Sequence, residues 1–118
     1  MELHKDWKII TSESDWNKAV EESFHKPVVL FKHSTRCGIS AHKLHDLVLE
    51  WNFSTDDLTL YYLDLLTYRS ISDLIAKETR IIHQSPQLIL LKNGKAVDNT
   101  SHAYVTVSFL KKSLKETA

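Results

Sequence analysis

The sequence predicts an α/β fold with a central mixed sheet flanked by helices, in the order β-α-β-α-β-α-β-β-α. Apolar runs of strand length alternate with segments of helical periodicity, a pattern typical of parallel strands joined by helical crossovers. Towards the end of the chain, Asn93 and Gly94 separate two strand-like runs, and this dipeptide is a strong hairpin signal. We therefore expect one domain over residues 1–118, with a central parallel pair and an antiparallel edge.

Composition narrows the classes of function. The 118 residues include 15 Lys and Arg against 15 Asp and Glu, and this balance favours neither nucleic acid nor an anionic membrane as a partner. The N-terminal stretch lacks an apolar signal core, and no apolar run approaches the ~20 residues of a membrane span. With Cys37 as the single cysteine, we expect a protein of the reducing cytoplasm.

Five runs are expected to form strands. Two of them, 28–31 and 58–63, are continuously apolar, as expected of strands that are covered on both faces. A short edge strand and the two arms of the hairpin complete the sheet. The predicted strands lie at 7–11, 28–31, 58–63, 88–92 and 95–97.

Four segments carry helical periodicity. The first follows Ser12 or Ser14, both good N-cap residues, and the second begins near Cys37. The third starts near Ser70, and the fourth covers 106–115. The residues predicted on the apolar faces are Trp16, Ala19, Val20, Phe24, Ala41, Leu44, Leu47, Val48, Trp51, Ile71, Leu74, Ile75, Val107, Leu110 and Leu114. This order of strands and helices is the thioredoxin-like arrangement.

Cys37 is the candidate nucleophile. A buried, inert thiol is the ordinary interpretation of a lone cysteine, but this one follows a central strand and opens a helix, where α/β sheets bind ligands. Amide groups at a helix N-terminus stabilise a thiolate, and Lys32, His33 and Arg36 are expected to add positive charge nearby. Ser40 completes a Cys-x-x-Ser motif, and its hydroxyl is expected to donate to the thiolate.

Pro86 precedes the predicted strand 88–92, although proline lacks the donor that a sheet ladder needs. A cis Ser85–Pro86 bond would account for it, because X-Pro is the context in which the cis form costs little. In thioredoxin-like proteins a cis-proline loop faces the active cysteine and contacts the bound thiol or peptide. We expect Ser85 and Pro86 to do so here.

Most of the chain resembles the YtxJ-like monothiol bacilliredoxins, thioredoxin-fold proteins of the bacillithiol system. The matching pieces, in chain order, are 27–37, Ile39-Ser40, 61–64, 83–87, Asn93-Gly94 and Ser101-His102. The chain departs from the family at Gly38, where the family usually has proline. We therefore expect its redox poise to differ from the family norm.

The resemblance implies a monothiol thiol–disulfide oxidoreductase that removes bacillithiol, or a similar low-molecular-weight thiol, from protein mixed disulfides through Cys37. The small thiol is then a cosubstrate, no tightly bound cofactor is expected, and the partners are thiolated client proteins. A second thiol or a reductase must regenerate the enzyme, because one cysteine cannot close the cycle. Cys37 and Ser40 are the expected catalytic residues. The expected substrate-binding residues are Lys32, Arg36, Gly38, Ile39, Ser85, Pro86 and His102.

Two other functions stay open. Cys-Gly-Ile-Ser differs by one apolar residue from the Cys-Gly-Phe-Ser of monothiol glutaredoxins, which carry a [2Fe–2S] cluster between two subunits, although 99–104 lacks their Gly-Gly turn. The second open function is that of a redox-inactive binding module with the same fold. His42 and His45 lie three residues apart on the Cys37 helix, but no further ligand stands at a convincing spacing, so we expect no metal site.

Overall fold

The computed structural model describes residues 2–118, which form one five-stranded mixed sheet with helices on both faces. The predicted fold class is confirmed. Within the described residues, a 3₁₀ turn, η1 (His102–Tyr104), lies before the last helix. The strands are β1 (Lys8–Ile9), β2 (Val28–His33), β3 (Thr59–Asp64), β4 (Gln87–Lys92) and β5 (Lys95–Ser101). The helices are α1 (Glu13–Glu22), α2 (Gly38–Glu50), α3 (Arg69–Thr79), η1 (His102–Tyr104) and α4 (Val107–Glu116).

The strands lie side by side in the order β1-β3-β2-β4-β5. Strands β1, β3 and β2 run parallel, whereas β4 is antiparallel to both β2 and β5. Lys32 near the end of β2 is paired with Gln87, which opens β4, and Gln87 is in turn paired with Ser101 at the end of β5. One edge of the sheet therefore gathers the segments that follow β2, precede β4 and follow β5.

Two apolar layers hold the helices against the sheet. Val29 and Phe31 of β2 face the layer formed with α2 and α4, and Val28 and Leu30 face the layer formed with α1 and α3. Every residue of β2 is buried, which agrees with its uninterrupted apolar run. Within residues 2–118, no helix has both the length and the apolar character needed to cross a membrane.

The first helix is shorter than its predicted apolar face. Ser12 caps its start by accepting a hydrogen bond from Asp15 N–H at 3.1 Å, but α1 ends at Glu22 and Ser23 is the C-cap. Two predictions of apolar helix faces were wrong: Ala41, at the start of α2, is exposed, and Phe24, assigned to α1, is 55% exposed. For Phe24 the reason lies in Ser23, whose hydroxyl donates to Val20 O and accepts from Gly94 N–H. The first bond caps the end of α1, and the second connects this end to the β4–β5 hairpin.

Candidate active site

Cys37 is the N-cap residue of α2 and follows the carboxyl end of β2. Its backbone is extended, with φ −107° and ψ 120°, and its side chain is half-buried. Its N–H donates to Ser34 O at 3.2 Å, and its carbonyl accepts from Ala41 N–H at 3.0 Å. Within the described residues its thiol makes no capping hydrogen bond. The first N–H groups of α2 are therefore free to stabilise a thiolate at this position.

Ser40 is fully buried one helical turn after Cys37. Its Oγ lies 2.7 Å from His33 Nδ1 and accepts a hydrogen bond from Ser34 N–H at 3.1 Å. The prediction that Ser40 donates to the Cys37 thiolate is therefore corrected, because the hydroxyl is engaged by strand β2 and the turn that follows it. Ser40 instead holds the turn that carries Cys37.

Lys32 lies on the opposite face of β2 and is fully buried. Its Nζ donates to Ser72 O in α3 at 3.0 Å and is 3.5 Å from His83 Nδ1. Burial lowers the pKa of Lys32 to about 8, against the opposing effect of Asp73. The ammonium does not reach the surface, so the expectation that Lys32 contacts a ligand is also corrected: it links β2 to α3.

His33 is also buried, at the end of β2 beneath the Cys37 turn. Burial lowers the pKa of His33, and the nearby Asp64 opposes this effect only in part. The imidazole is therefore neutral at pH 7. Of the three cations predicted around the thiol, Arg36 alone is exposed, so the expected cluster of positive charge is reduced to one side chain.

An open surface surrounds Cys37 on its own segment. Arg36 and Gly38 are exposed on either side of it. Ile39, in the first turn of α2, is 53% exposed. A thiol ligand on Cys37 would therefore meet one guanidinium and one apolar side chain.

Ser85 and Pro86 lie at the same edge of the sheet, directly before β4. The Ser85–Pro86 peptide bond is cis, and the Pro86 carbonyl accepts a hydrogen bond from His102 N–H at 3.0 Å. His102 takes a left-handed backbone conformation, with φ 56°, and its Nδ1 lies 3.0 Å from Ser101 Oγ. The bond to Pro86 connects η1 to the loop that contains Ser85 and Pro86, called the proline loop below. The 3₁₀ turn η1 also packs against α2.

The sequence analysis did not identify the buried side chains that form hydrogen bonds with the segment preceding Pro86. Gln87 is buried, donates from Nε2 to Ile82 O at 3.0 Å and accepts from Gln84 N–H at 3.3 Å. His83 Nδ1 lies 3.3 Å from Ser72 Oγ and close to the ammonium of Lys32. The signal for Gln87 was present, because it is the one amide that opens an apolar strand.

Solved structures with this fold include one with substantial sequence similarity. A structure of a proposed oxidoreductase with a thioredoxin fold has 32% identity and a TM-score of 0.79, over 92% of this chain and 93% of that one. A thioredoxin from Nicotiana alata has 20% identity and a TM-score of 0.74, over 98% and 95%. The Malassezia sympodialis thioredoxin has 20% identity and a TM-score of 0.73, over 98% and 94%. The two thioredoxins support the fold alone.

The sequence also matches a family of redox proteins over most of its length. The family model described as Monothiol bacilliredoxin BrxC matches residues 8–110, a range that includes Cys37, the proline loop and η1. The matched range, the thioredoxin fold and a single half-buried thiol at a helix N-terminus agree with one another. The chain therefore belongs to the monothiol bacilliredoxin family, and both the family and the fold support a thiol oxidoreductase.

Proposed function

We propose that this protein removes a low-molecular-weight thiol of the bacillithiol type from protein mixed disulfides, with Cys37 as the nucleophile. The observation that supports it best is the position of Cys37, a half-buried N-cap whose thiol has no capping hydrogen bond within residues 2–118. A thiolate there gains the partial positive charge of the helix N-terminus. The family match supports thiol oxidoreductase chemistry. The mixed-disulfide substrate, the identity of the small thiol and the role of Cys37 are the proposed parts.

The reaction consists of two thiol–disulfide exchanges. In the first, the Cys37 thiolate attacks the sulfur of the small thiol, the protein–S–S bond breaks, and the client cysteine leaves as a thiolate that takes a proton from water. Cys37 then carries the small thiol as a mixed disulfide. In the second, the thiolate of another small-thiol molecule, or of a reductase, attacks the sulfur of the bound small thiol. A new disulfide forms between these two sulfurs, the bond to Cys37 breaks, and Cys37 leaves as a thiolate. No net oxidation occurs within the chain, since Cys37 ends as it began.

The residues around Cys37 have separate roles in this proposal. Arg36 would hold a carboxylate of the small thiol, because it is the exposed cation next to the sulfur. Ile39 offers apolar contact to the client. Pro86 and His102, joined by their hydrogen bond, would form the opposite wall. Such chemistry fits a reducing cytoplasm, where clients are thiolated under oxidative stress.

Exposure of Cys37 to disulfides tests the proposal. The protein is incubated with the disulfides of bacillithiol, glutathione and coenzyme A, and intact mass is recorded. We expect an adduct on wild type, faster with bacillithiol, and none on Cys37→Ser. The same Cys37→Ser variant should release no small thiol from a bacillithiolated test protein, whereas Ala41→Ser, a small change on the exposed side of α2, should keep the activity.

Two outcomes would contradict this function. Equal rates with all three disulfides would argue against a dedicated site for bacillithiol. Release of the small thiol by Cys37→Ser would show that Cys37 is not the nucleophile. Visible absorbance after anaerobic purification, lost in Cys37→Ser, would instead favour the [2Fe–2S] carrier.

A further inference from the structure

Two buried polar side chains lie on the α3 side of the proline loop, which comprises residues 81–86 between α3 and β4. Lys32 of β2 and Gln87 of β4 are paired residues of adjacent antiparallel strands, so their side chains are neighbours on one face of the sheet. Ile89 and Leu91, which follow Gln87 at every second position, belong to the apolar layer formed with α1 and α3. Both polar side chains therefore point to that layer.

Gln87 binds the backbone of the proline loop at two places. Its Nε2 donates to Ile82 O at 3.0 Å, and its Oε1 accepts from Gln84 N–H at 3.3 Å. The side chain of Ile82 is 82% exposed, and that of Gln84 is also exposed. Because these two side chains contribute little packing, the Gln87 amide supplies the attachment of this part of the loop.

Lys32 attaches the middle of the loop to β2 and α3. Its Nζ donates to Ser72 O at 3.0 Å and lies 3.5 Å from His83 Nδ1, which is the acceptor because an ammonium only donates. Among the lysines and arginines of the described residues, Lys32 alone is buried, and within residues 2–118 it takes part in no ion pair. Burial of an unpaired cation is costly, which favours a role for Lys32 beyond filling space.

The other side of the proline loop lies with α2 and η1. Pro86 comes one residue before Gln87, so the alternation of β4 places it on the face that packs against α2 and α4. The Pro86 carbonyl accepts from His102 N–H at 3.0 Å, and η1, which starts at His102, packs against α2. Cys37 is the N-cap of that helix. The loop is thus held on its α3 side by two buried side chains and meets the elements of the candidate active site on its α2 side.

We propose that Lys32 and Gln87 are positioning residues for the reaction of Cys37, because they fix the proline loop where it forms one wall of the substrate site. Neither side chain reaches the substrate, and both act through the loop. The inference rests on the proposed function, in which Pro86 and His102 form that wall. Removal of either side chain should weaken binding of the mixed disulfide and leave the reactivity of the thiol itself unchanged.

The kinetics of Lys32→Met and Gln87→Met test the inference. Methionine is unbranched and similar in length to both side chains, but it forms none of these hydrogen bonds. The substrate is a peptide that carries bacillithiol as a mixed disulfide, with free bacillithiol as the second thiol. We expect each variant to raise KM for the peptide by about tenfold, with kcat within about twofold of wild type. The rate of Cys37 with 2,2′-dipyridyl disulfide, a small reagent that does not require the wall, should stay at the wild-type value.

Amide hydrogen exchange at His102, measured by NMR, gives a readout that does not depend on activity. Its N–H is bonded to Pro86 O, so the more mobile loop of either variant should exchange this amide several-fold faster than wild type. The matched control is Lys92→Met, which removes a half-buried lysine at the other end of β4, bonded to Thr117 O at 2.9 Å. This control should change neither KM nor the exchange of His102.

A wild-type KM in either folded methionine variant, or a raised KM without faster exchange at His102, would overturn the inference and leave the proposed function intact. An equal loss of rate with the peptide and with 2,2′-dipyridyl disulfide would also overturn it, because the thiol itself would then be disturbed. A wild type that releases no bacillithiol from the peptide would overturn the proposed function and the inference together. If Lys32→Met does not fold, Gln87→Met decides between these outcomes.

Discussion

Gly38 follows Cys37 at the first position of α2, where the resemblance to the bacilliredoxins led us to expect proline. A Cβ placed on it would meet no atom within 4 Å, so nothing in the surrounding structure requires glycine here. Its Cys37 neighbour already has the extended conformation that a following proline favours, with ψ 120°. Compared with proline, glycine at position 38 gives the unfolded chain more conformational freedom. It allows no closer contact in the folded protein, since a Cβ at this position would meet no atom within 4 Å.

We predict that Gly38→Pro raises the free energy of unfolding by about 0.4–1 kcal/mol, because proline suits the first helical position and reduces the entropy of the unfolded state. Urea denaturation, with Gly38→Ala as the control for loss of glycine alone, measures the change. A decrease in stability for Gly38→Pro, with Gly38→Ala unchanged, would show that the Gly38 N–H has a role that the structure does not reveal.

For single residues, the sequence predicted where in the fold a side chain lies. It did not predict the direction of a side chain whose hydrogen-bond partner comes from a distant segment. The place of Cys37 at a strand–helix junction followed from periodicity, and the structure has it there. The directions of Lys32 and Ser40 did not follow, because each depends on an atom from a distant segment, Ser72 O in one case and the buried imidazole of His33 in the other. A local count of cations near the thiol cannot tell which face of a strand each one occupies.

At the level of the elements, the β4–β5 hairpin is fixed to the end of α1. Asn93 N–H donates to Ser23 O at 2.7 Å, and Gly94 N–H donates to Ser23 Oγ at 2.9 Å. Gly94 has φ +77°, and a Cβ there would come within 2.5 Å of Phe24 Cζ. The turn was predictable from Asn-Gly, but its attachment to Ser23 was not, because the two sites are 71 residues apart.

We predict that Gly94→Ala lowers the free energy of unfolding by about 1–3 kcal/mol, since alanine is strained at positive φ and the added methyl displaces the Phe24 ring. The melting temperature and urea midpoint measure it. Phe24→Ala combined with Gly94→Ala separates the two causes: relief of the clash should recover part of the loss, and the φ penalty should remain. A Gly94→Ala variant as stable as wild type would contradict the described turn.

Across the whole molecule, Glu22 joins three elements. The carboxylate of this α1 residue accepts from Tyr61 OH at 2.7 Å in β3 and from Lys8 Nζ at 3.0 Å in β1, and lies 3.4 Å from Lys26 Nζ. Burial alone would raise the pKa of Glu22, but these hydrogen bonds outweigh it and lower the pKa to about 2. The charged carboxylate thus fastens the edge strand β1 to the rest of the sheet.

We predict a loss of stability in acid that depends on Glu22. Because its pKa is lower in the folded than in the unfolded chain, its contribution is fully present above about pH 4.5 and is lost as the pH falls towards 2. Glu22→Gln should cost about 1.5–3 kcal/mol at pH 7 and should flatten the pH dependence of stability between about pH 4.5 and 2. Urea denaturation at several pH values measures both, and Glu21→Gln, an exposed neighbour, is the control. Parallel acid profiles for Glu22→Gln and wild type would contradict the assignment.

The direction of α4 has a consequence for the handling of the protein. This helix starts just after η1, beside the proline loop, and runs for about 15 Å to the other end of the sheet, where Lys92 Nζ donates to Thr117 O at 2.9 Å. The carboxyl end of the described chain and the reactive sulfur thus lie at opposite poles. A surface coupled through Ala118 would present Cys37 outwards, so that the exchange reactions of the proposed function can be measured on the immobilised protein without obstruction by the support.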